Sequence, residues 1–167
     1  GEQVAWESVI AAAEETRDRL QDVGLAAFVK TSGGKGLHVV APVKPKAEWP
    51  QVKAFTKSIA DAMANDSPSK YVATITKSKR RGKILVDYLR NQRGATAVAP
   101  YSTRARPGAA VSMPLGWDEL SPAIGADYFT IAKTLARLES LQSDPWGDFR
   151  QAAAPIETPN ARRKRKA

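Results

Sequence analysis

Trp6, Val9, Ala13, Thr16, Leu20 and Val23 recur at intervals of three and four. That spacing predicts a helix over 5–23, and Gly24 is a natural C-terminal stop. The pattern then changes. Residues 26–31 and 36–42 have strand composition and are joined by a glycine-rich turn. A second helix is predicted to start near Pro50, since proline is tolerated in a first turn. Val52, Phe55, Ile59, Ala62 and Met63 form its apolar stripe, and the run Asn65 to Pro68 ends it. Residues 71–76 read as a strand, 77–82 as a basic loop, and 83–89 as a strongly apolar strand of the kind found inside a sheet. Pro107 and Gly108 mark a turn, and 109–113 is a further strand candidate. A third helix is expected over 126–140, with Tyr128, Ile131, Leu135 and Leu138 on one face. Helices mixed with a few strands and hairpins indicate an α/β or α+β layer fold.

Composition narrows the classes. The 167 residues suit one domain, or one domain with a tail, and 43% apolar content supports a real core. No apolar run approaches the length of a membrane span, and no signal peptide opens the chain. The absence of cysteine excludes a disulfide framework and cysteine-bound zinc, and fits a cytoplasmic protein. From about Gln151 the sequence is Ala/Pro-rich and then basic, so 151–167 is expected to be a disordered tail on a domain of 1–150. The first residue is Gly1 rather than Met, which suggests a processed product or a piece of a longer protein.

The net charge of +9 is unevenly placed. Residues 77–106 carry +8 and the run Arg162 to Lys166 carries +5, which leaves −4 for the rest. Localised positive charge is the footprint of a nucleic-acid or polyphosphate partner. Lys77, Lys79, Arg81 and Lys83 are the candidate nucleic-acid contacts.

Three features carry candidate chemistry. The run from Lys30 to His38 places a hydroxyl, a glycine-rich turn, a lysine and the only histidine within nine residues. Backbone amides at such a turn, with a nearby cation, suit an anion such as a polyphosphate. The run is not a Walker A loop, because Lys35 is followed by Gly36 rather than Ser or Thr. Asp87 lies among Ile84, Leu85, Val86, Tyr88 and Leu89. A buried carboxylate there must meet a cation, either a local arginine or a divalent metal. Arg80, Arg90 and Arg104 flank it, and guanidinium groups clamp phosphate in two-pronged fashion. Ser32, His38 and Asp87 do not read as a hydrolase triad, since no Gly-x-Ser-x-Gly elbow is present.

Taken together, Ser32-Gly-Gly-Lys-Gly-Leu-His38, Ile84-Leu-Val-Asp-Tyr-Leu-Arg-Asn91 and Ala99-Pro-Tyr-Ser-Thr-Arg-Ala-Arg-Pro107 resemble the polymerase domain of bacterial DNA ligase D, in the archaeo-eukaryotic primase-polymerase superfamily. Val111 to Leu120 and Asp144-Pro-Trp146 also resemble that family. The resemblance implies a primase-polymerase-like core, with a mixed or antiparallel sheet flanked by helices. It implies a nucleotidyltransferase that extends primers in bacterial non-homologous end joining, alongside Ku and attached ligase or nuclease domains. Substrates would be DNA ends and ribonucleoside or deoxyribonucleoside triphosphates, with Mn2+ or Mg2+, in the nucleoid of a bacterial cytoplasm. By the same resemblance, Ser32, Lys35, His38, Arg80, Arg90 and Arg104 would hold the triphosphate. Asp87 would bind metal, and Asp87 and His38 would serve catalysis.

The family's first motif, a paired Asp-x-Asp, does not occur in these 167 residues. By resemblance it would lie just before Gly1, so the chain is expected to be the C-terminal part of the polymerase core, incomplete at its N-terminus. Two-metal phosphoryl transfer needs several carboxylates, and Asp87 alone is too few, so robust catalysis is not expected of the isolated chain. The alternative is a non-catalytic nucleic-acid-binding module that uses 77–106 and the tail.

Overall fold

The computed structural model describes residues 3–156. Helix α1, Trp6–Gln21, is followed by β1, Phe28–Thr31, and β2, Leu37–Val40. Helix α2, Trp49–Asp66, leads to β3, Tyr71–Val72, and β4, Ile84–Leu85. Strand β5, Pro114–Leu115, and helix α3, Ile131–Ser140, complete the order. The strands form a three-stranded antiparallel sheet, β2-β1-β5, and a parallel pair, β3-β4. The expected mixed α/β architecture is therefore present.

The end of α1 and the start of α2 have visible causes. Gly24, at φ +79°, turns the chain away from α1, with Leu25 N–H donating to the Leu20 carbonyl at 3.0 Å. The Gln51 side chain accepts from the Glu48 amide at 2.7 Å, and Pro50 sits in the first turn of α2. On the main sheet, Val29 packs with Val111, Met113, Leu115 and Phe129. A second cluster joins Ala12 of α1, Met63 of α2 and Tyr71 of β3. A third joins Leu20, Leu25 and Ala27, with Phe55 and Trp117 against it. Side chains alternate along β1, so Phe28 and Lys30 share the opposite face from Val29. There Phe28 meets the edges of Trp146 and Phe149, which stack on each other at 5.1 Å.

Several expected elements are shorter. The strands foreseen over 71–76 and 83–89 pair only at β3 and β4, and Val86 N–H to the Val72 carbonyl is the last bond of that ladder. Residues 77–80 form a single 3-10 turn. The region is not a sheet interior: Ile84 to Val86 are half-buried and Asp87 is exposed. Asp87 is held locally, since its Oδ1 accepts from the Leu89 amide at 2.9 Å, and it makes no ion pair among the described residues. The expectation of a buried carboxylate is thus corrected. With no second layer over this face, water can solvate the charge.

The strand foreseen over 109–113 is an isolated bridge, Thr103 to Val111, and regular pairing to β1 begins at Pro114. Helix α3 starts five residues later than expected, where the Thr130 hydroxyl accepts from the Lys133 amide at 3.4 Å. Its stripe of Ile131, Leu135 and Leu138 faces solvent, while Arg137 turns inward to Glu119. Packed chain also continues past 150: Ala154 bridges to Val43 and Ile156 packs beside Leu25 and Ala27. The basic run Arg162 to Lys166 lies outside the described residues. No helix among those residues is long and apolar enough to cross a membrane.

Candidate functional site

The turn between β1 and β2 is closed by Ser32. Its amide donates to the Gly36 carbonyl at 3.0 Å, and its hydroxyl accepts from the Gly36 amide at 3.2 Å. Gly33 adopts φ +63°, and a Cβ there would lie 2.8 Å from the Ala110 carbonyl oxygen and 2.8 Å from Cγ of Arg104. Glycine is required for both reasons. The turn presses directly on a second hairpin, whose arms join where Tyr101 N–H meets the Ser112 carbonyl and Arg104 N–H meets the Ala110 carbonyl. This hairpin carries Arg104 and Arg106 onto the turn. Arg104 donates to the Ser32 carbonyl at 3.4 Å, and the Arg106 guanidinium carbon lies 3.8 Å from where a Gly34 Cβ would stand. Lys35 projects into solvent at the tip.

His38 lies directly across the ladder from Lys30. Lys30 is 3% exposed, an unusual state for an ammonium. Its Nζ meets the Val98 carbonyl at 2.9 Å, the Ser112 hydroxyl at 2.6 Å and His38 Nδ1 at 3.0 Å. Burial, with the charge of Arg104, pulls Lys30 down to about 8. Burial, then Lys30 and Arg104, pulls His38 down to about 4, partly opposed by Asp87, while Arg90 adds to the lowering. His38 is therefore neutral at pH 7. The charges of Lys30, Arg104, Asp87 and Arg90 all reach its ring.

The structure thus brings Arg104 onto Ser32 by contact and His38 onto Lys30 by contact, with the charges of Arg104, Asp87 and Arg90 acting on the imidazole. Arg90 also donates to the Thr96 carbonyl at 3.1 Å. Arg80 lies in the 3-10 turn, with a buried Nε that has no partner among the described residues. Lys77, Lys79 and Arg81 are exposed on the same turn and Lys83 is half-buried beyond it.

Lys30, Arg106 and Ser112 also belong to this constellation and were not singled out from the sequence. Lys30 was open to the reasoning used for Asp87, a charge inside an apolar strand. Arg106 was open to alternation with Arg104. Ser112 carried no sequence signal, because its role depends on where the second hairpin folds. Among the described residues no three His, Cys, Asp or Glu side chains group to hold a metal ion. Among the described residues, Asp87 is the carboxylate whose charge acts on His38. Such a set does not fit a two-metal centre on its own.

Comparison with known proteins adds a family to this geometry. The family described as LigD, primase-polymerase domain, matches residues 1–146. The multifunctional non-homologous end joining protein LigD of Pseudomonas aeruginosa is 41% identical over 145 residues, covering 86% of this chain and 17% of that protein. The bifunctional non-homologous end joining protein LigD of Bacillus subtilis is 31% identical over 141 residues, covering 84% of this chain and 23% of that protein. The solved polymerase domain of Mycobacterium tuberculosis ligase D, in complex with DNA, superposes with a TM-score of 0.84 at 32% identity. That match covers 92% of this chain and 53% of the solved one. The chain therefore spans under a quarter of the length of these curated relatives and about half of the solved domain.

Proposed function

We propose, from the premise that this chain belongs to the LigD primase-polymerase family, that it is the nucleotide-binding part of a primer-extending nucleotidyltransferase in bacterial non-homologous end joining. The observation that carries this reading is the seating of Arg104 on the Ser32 turn that leads into His38, with the charges of Asp87 and Arg90 acting on the imidazole. A triphosphate needs directed donors and cations that do not have to reorganise. The turn offers the Gly34 and Lys35 amides, the Lys35 ammonium and the guanidinium groups of Arg104 and Arg106.

In the proposed reaction a primer 3′-hydroxyl attacks the α-phosphate of the bound nucleotide. A new P–O bond forms, the bond to pyrophosphate breaks, and the hydroxyl proton leaves to solvent or a base. The roles of this chain are to bind and orient the triphosphate and to offset its charge. Substrates are DNA ends and ribonucleoside or deoxyribonucleoside triphosphates, and Ku and ligase or nuclease activities are the partners in repair. Mn2+ or Mg2+ is the proposed cofactor. When bound, such an ion neutralises charge that develops on phosphate oxygens. Asp87 would supply one ligand, and other carboxylates would have to complete the set.

The test is template-directed ribonucleotide incorporation with manganese. It compares this chain with a chimera in which the preceding segment of Pseudomonas aeruginosa LigD is joined before Gly1. Incorporation by the chimera supports the reading, and none from either refutes it. The exposed cations Lys77, Lys79 and Arg81 favour a second reading, binding of nucleic acid without turnover. That reading gains if both proteins bind DNA and neither extends a primer.

A further inference from the structure

The hydrogen bonds around Lys30 determine more than its own position. The Val98 carbonyl can only accept. The Ser112 hydroxyl gives its hydrogen to the Thr31 carbonyl at 2.8 Å, so towards Lys30 it also accepts. Two of the three ammonium hydrogens are thereby committed. An ammonium has no lone pair, so its third contact, to His38 Nδ1 at 3.0 Å, requires a bare Nδ1. A neutral imidazole with a bare Nδ1 carries its hydrogen on Nε2. Nε2 makes no hydrogen bond to any described residue. The cross-strand register sets His38 directly opposite Lys30, which brings the two side chains within reach of this contact.

We infer that Lys30 is a positioning residue that holds His38 as its Nε2–H tautomer, so that the imidazole presents a neutral hydrogen-bond donor to a phosphate oxygen. The second half of this statement rests on the triphosphate reading above, and the first half does not. A neutral donor on Nε2 binds an anionic oxygen without competing for the cationic roles of Lys35 and Arg104. The opposite tautomer would turn a lone pair on Nε2 towards the phosphate and repel it. A buried lysine is costly to keep. The contacts to Val98 and Ser112 hold the ammonium in place, and the third, to Nδ1, is the one that selects the tautomer.

His38 is the only histidine in the chain, so its ring nitrogens give a single set of signals. Long-range 1H–15N correlation at pH 7 on the whole chain reads the tautomer directly. The expected result is a bare Nδ1 and a protonated Nε2. A protonated Nδ1, or a fast mixture of tautomers, in the unaltered protein overturns the inference, and no variant has to fold for that outcome. Lys30→Met keeps the length of the side chain and removes the donors. In it the tautomers should mix, and affinity for ATP should fall about tenfold, the lower end of what loss of an imidazole's orienting partner costs in metal sites. An unchanged tautomer in folded Lys30→Met also overturns the inference. Mixed tautomers with unchanged ATP affinity would leave the hold of Lys30 on His38 standing and refute the triphosphate role of His38.

Discussion

Three glycine-to-alanine substitutions separate the forces that shape the candidate site. At Gly33 two costs coincide, φ of +63° and a Cβ only 2.8 Å from both the Ala110 carbonyl oxygen and Cγ of Arg104. A left-handed backbone costs an alanine roughly 1–2 kcal/mol. Overpacking adds typically 1–3 kcal/mol, and here the carbonyl belongs to a hydrogen-bonded hairpin that cannot simply move aside. Gly33→Ala should therefore destabilise by about 3 kcal/mol. Gly24 has φ +79° but nothing within 4 Å, so Gly24→Ala should show the backbone cost alone, about 1–2 kcal/mol. Gly36 lies in the same turn, without positive φ and with open space, so Gly36→Ala should be within about 0.5 kcal/mol of the parent. Urea unfolding measures all three. With a slope of about 2 kcal/mol/M, Gly33→Ala lowers the midpoint by about 1.5 M. ATP affinity should fall for Gly33→Ala, because Arg104 is displaced, and hold for Gly24→Ala. Equal costs at Gly33 and Gly24 would refute the claim that the turn is seated on the second hairpin.

Asp87 is exposed and held only by its local turn, so Asp87→Ala should change stability by less than about 1 kcal/mol while abolishing primer extension in the chimera described above. Undiminished extension would remove Asp87 from the chemistry. His38 makes stability depend on acid. The unfolded chain takes up a proton near pH 6.5 and the folded chain only near about 4, so stability is lost as pH falls across that window. The full shift corresponds to about 3 kcal/mol, which partial solvent access reduces to about 1–2. Urea midpoints at pH 7 and pH 4.5 should converge less steeply in His38→Gln, and an identical slope in the variant would contradict the burial of the imidazole.

The long amphipathic patterns were legible in the sequence. α1 and α2 fall within a few residues of where apolar spacing, Gly24 and Pro50 put them. The Ser32 to His38 turn was legible too, because glycines between two apolar runs leave few alternatives. Asp87 misled the reading for a physical reason. An apolar run predicts burial only if something covers both faces, and β4 has one partner and pairs over just two residues. The apolar stripe of α3 failed in the same way. Ile131, Leu135 and Leu138 face water, and the ion pair of Arg137 with Glu119 fixes the opposite face inward. Lys30 was legible as a charge in an apolar strand, but its partners needed the fold: Val98 and Ser112 lie 68 and 82 residues away, and no local pattern brings them together.

On the proposed function, the turn between β1 and β2 receives a nucleoside triphosphate. Amide and side-chain chemical-shift mapping of the 15N-labelled chain during titration with ATP and magnesium tests it most directly. The account predicts saturable shifts at Gly34, Lys35, Gly36 and the His38 Nε2, with Arg90 and Arg104 responding alongside. Shifts confined to Lys77, Lys79, Arg81 and Lys83, with the His38 ring unmoved, would contradict it and make this protein a binder of phosphate backbones without a nucleotide site.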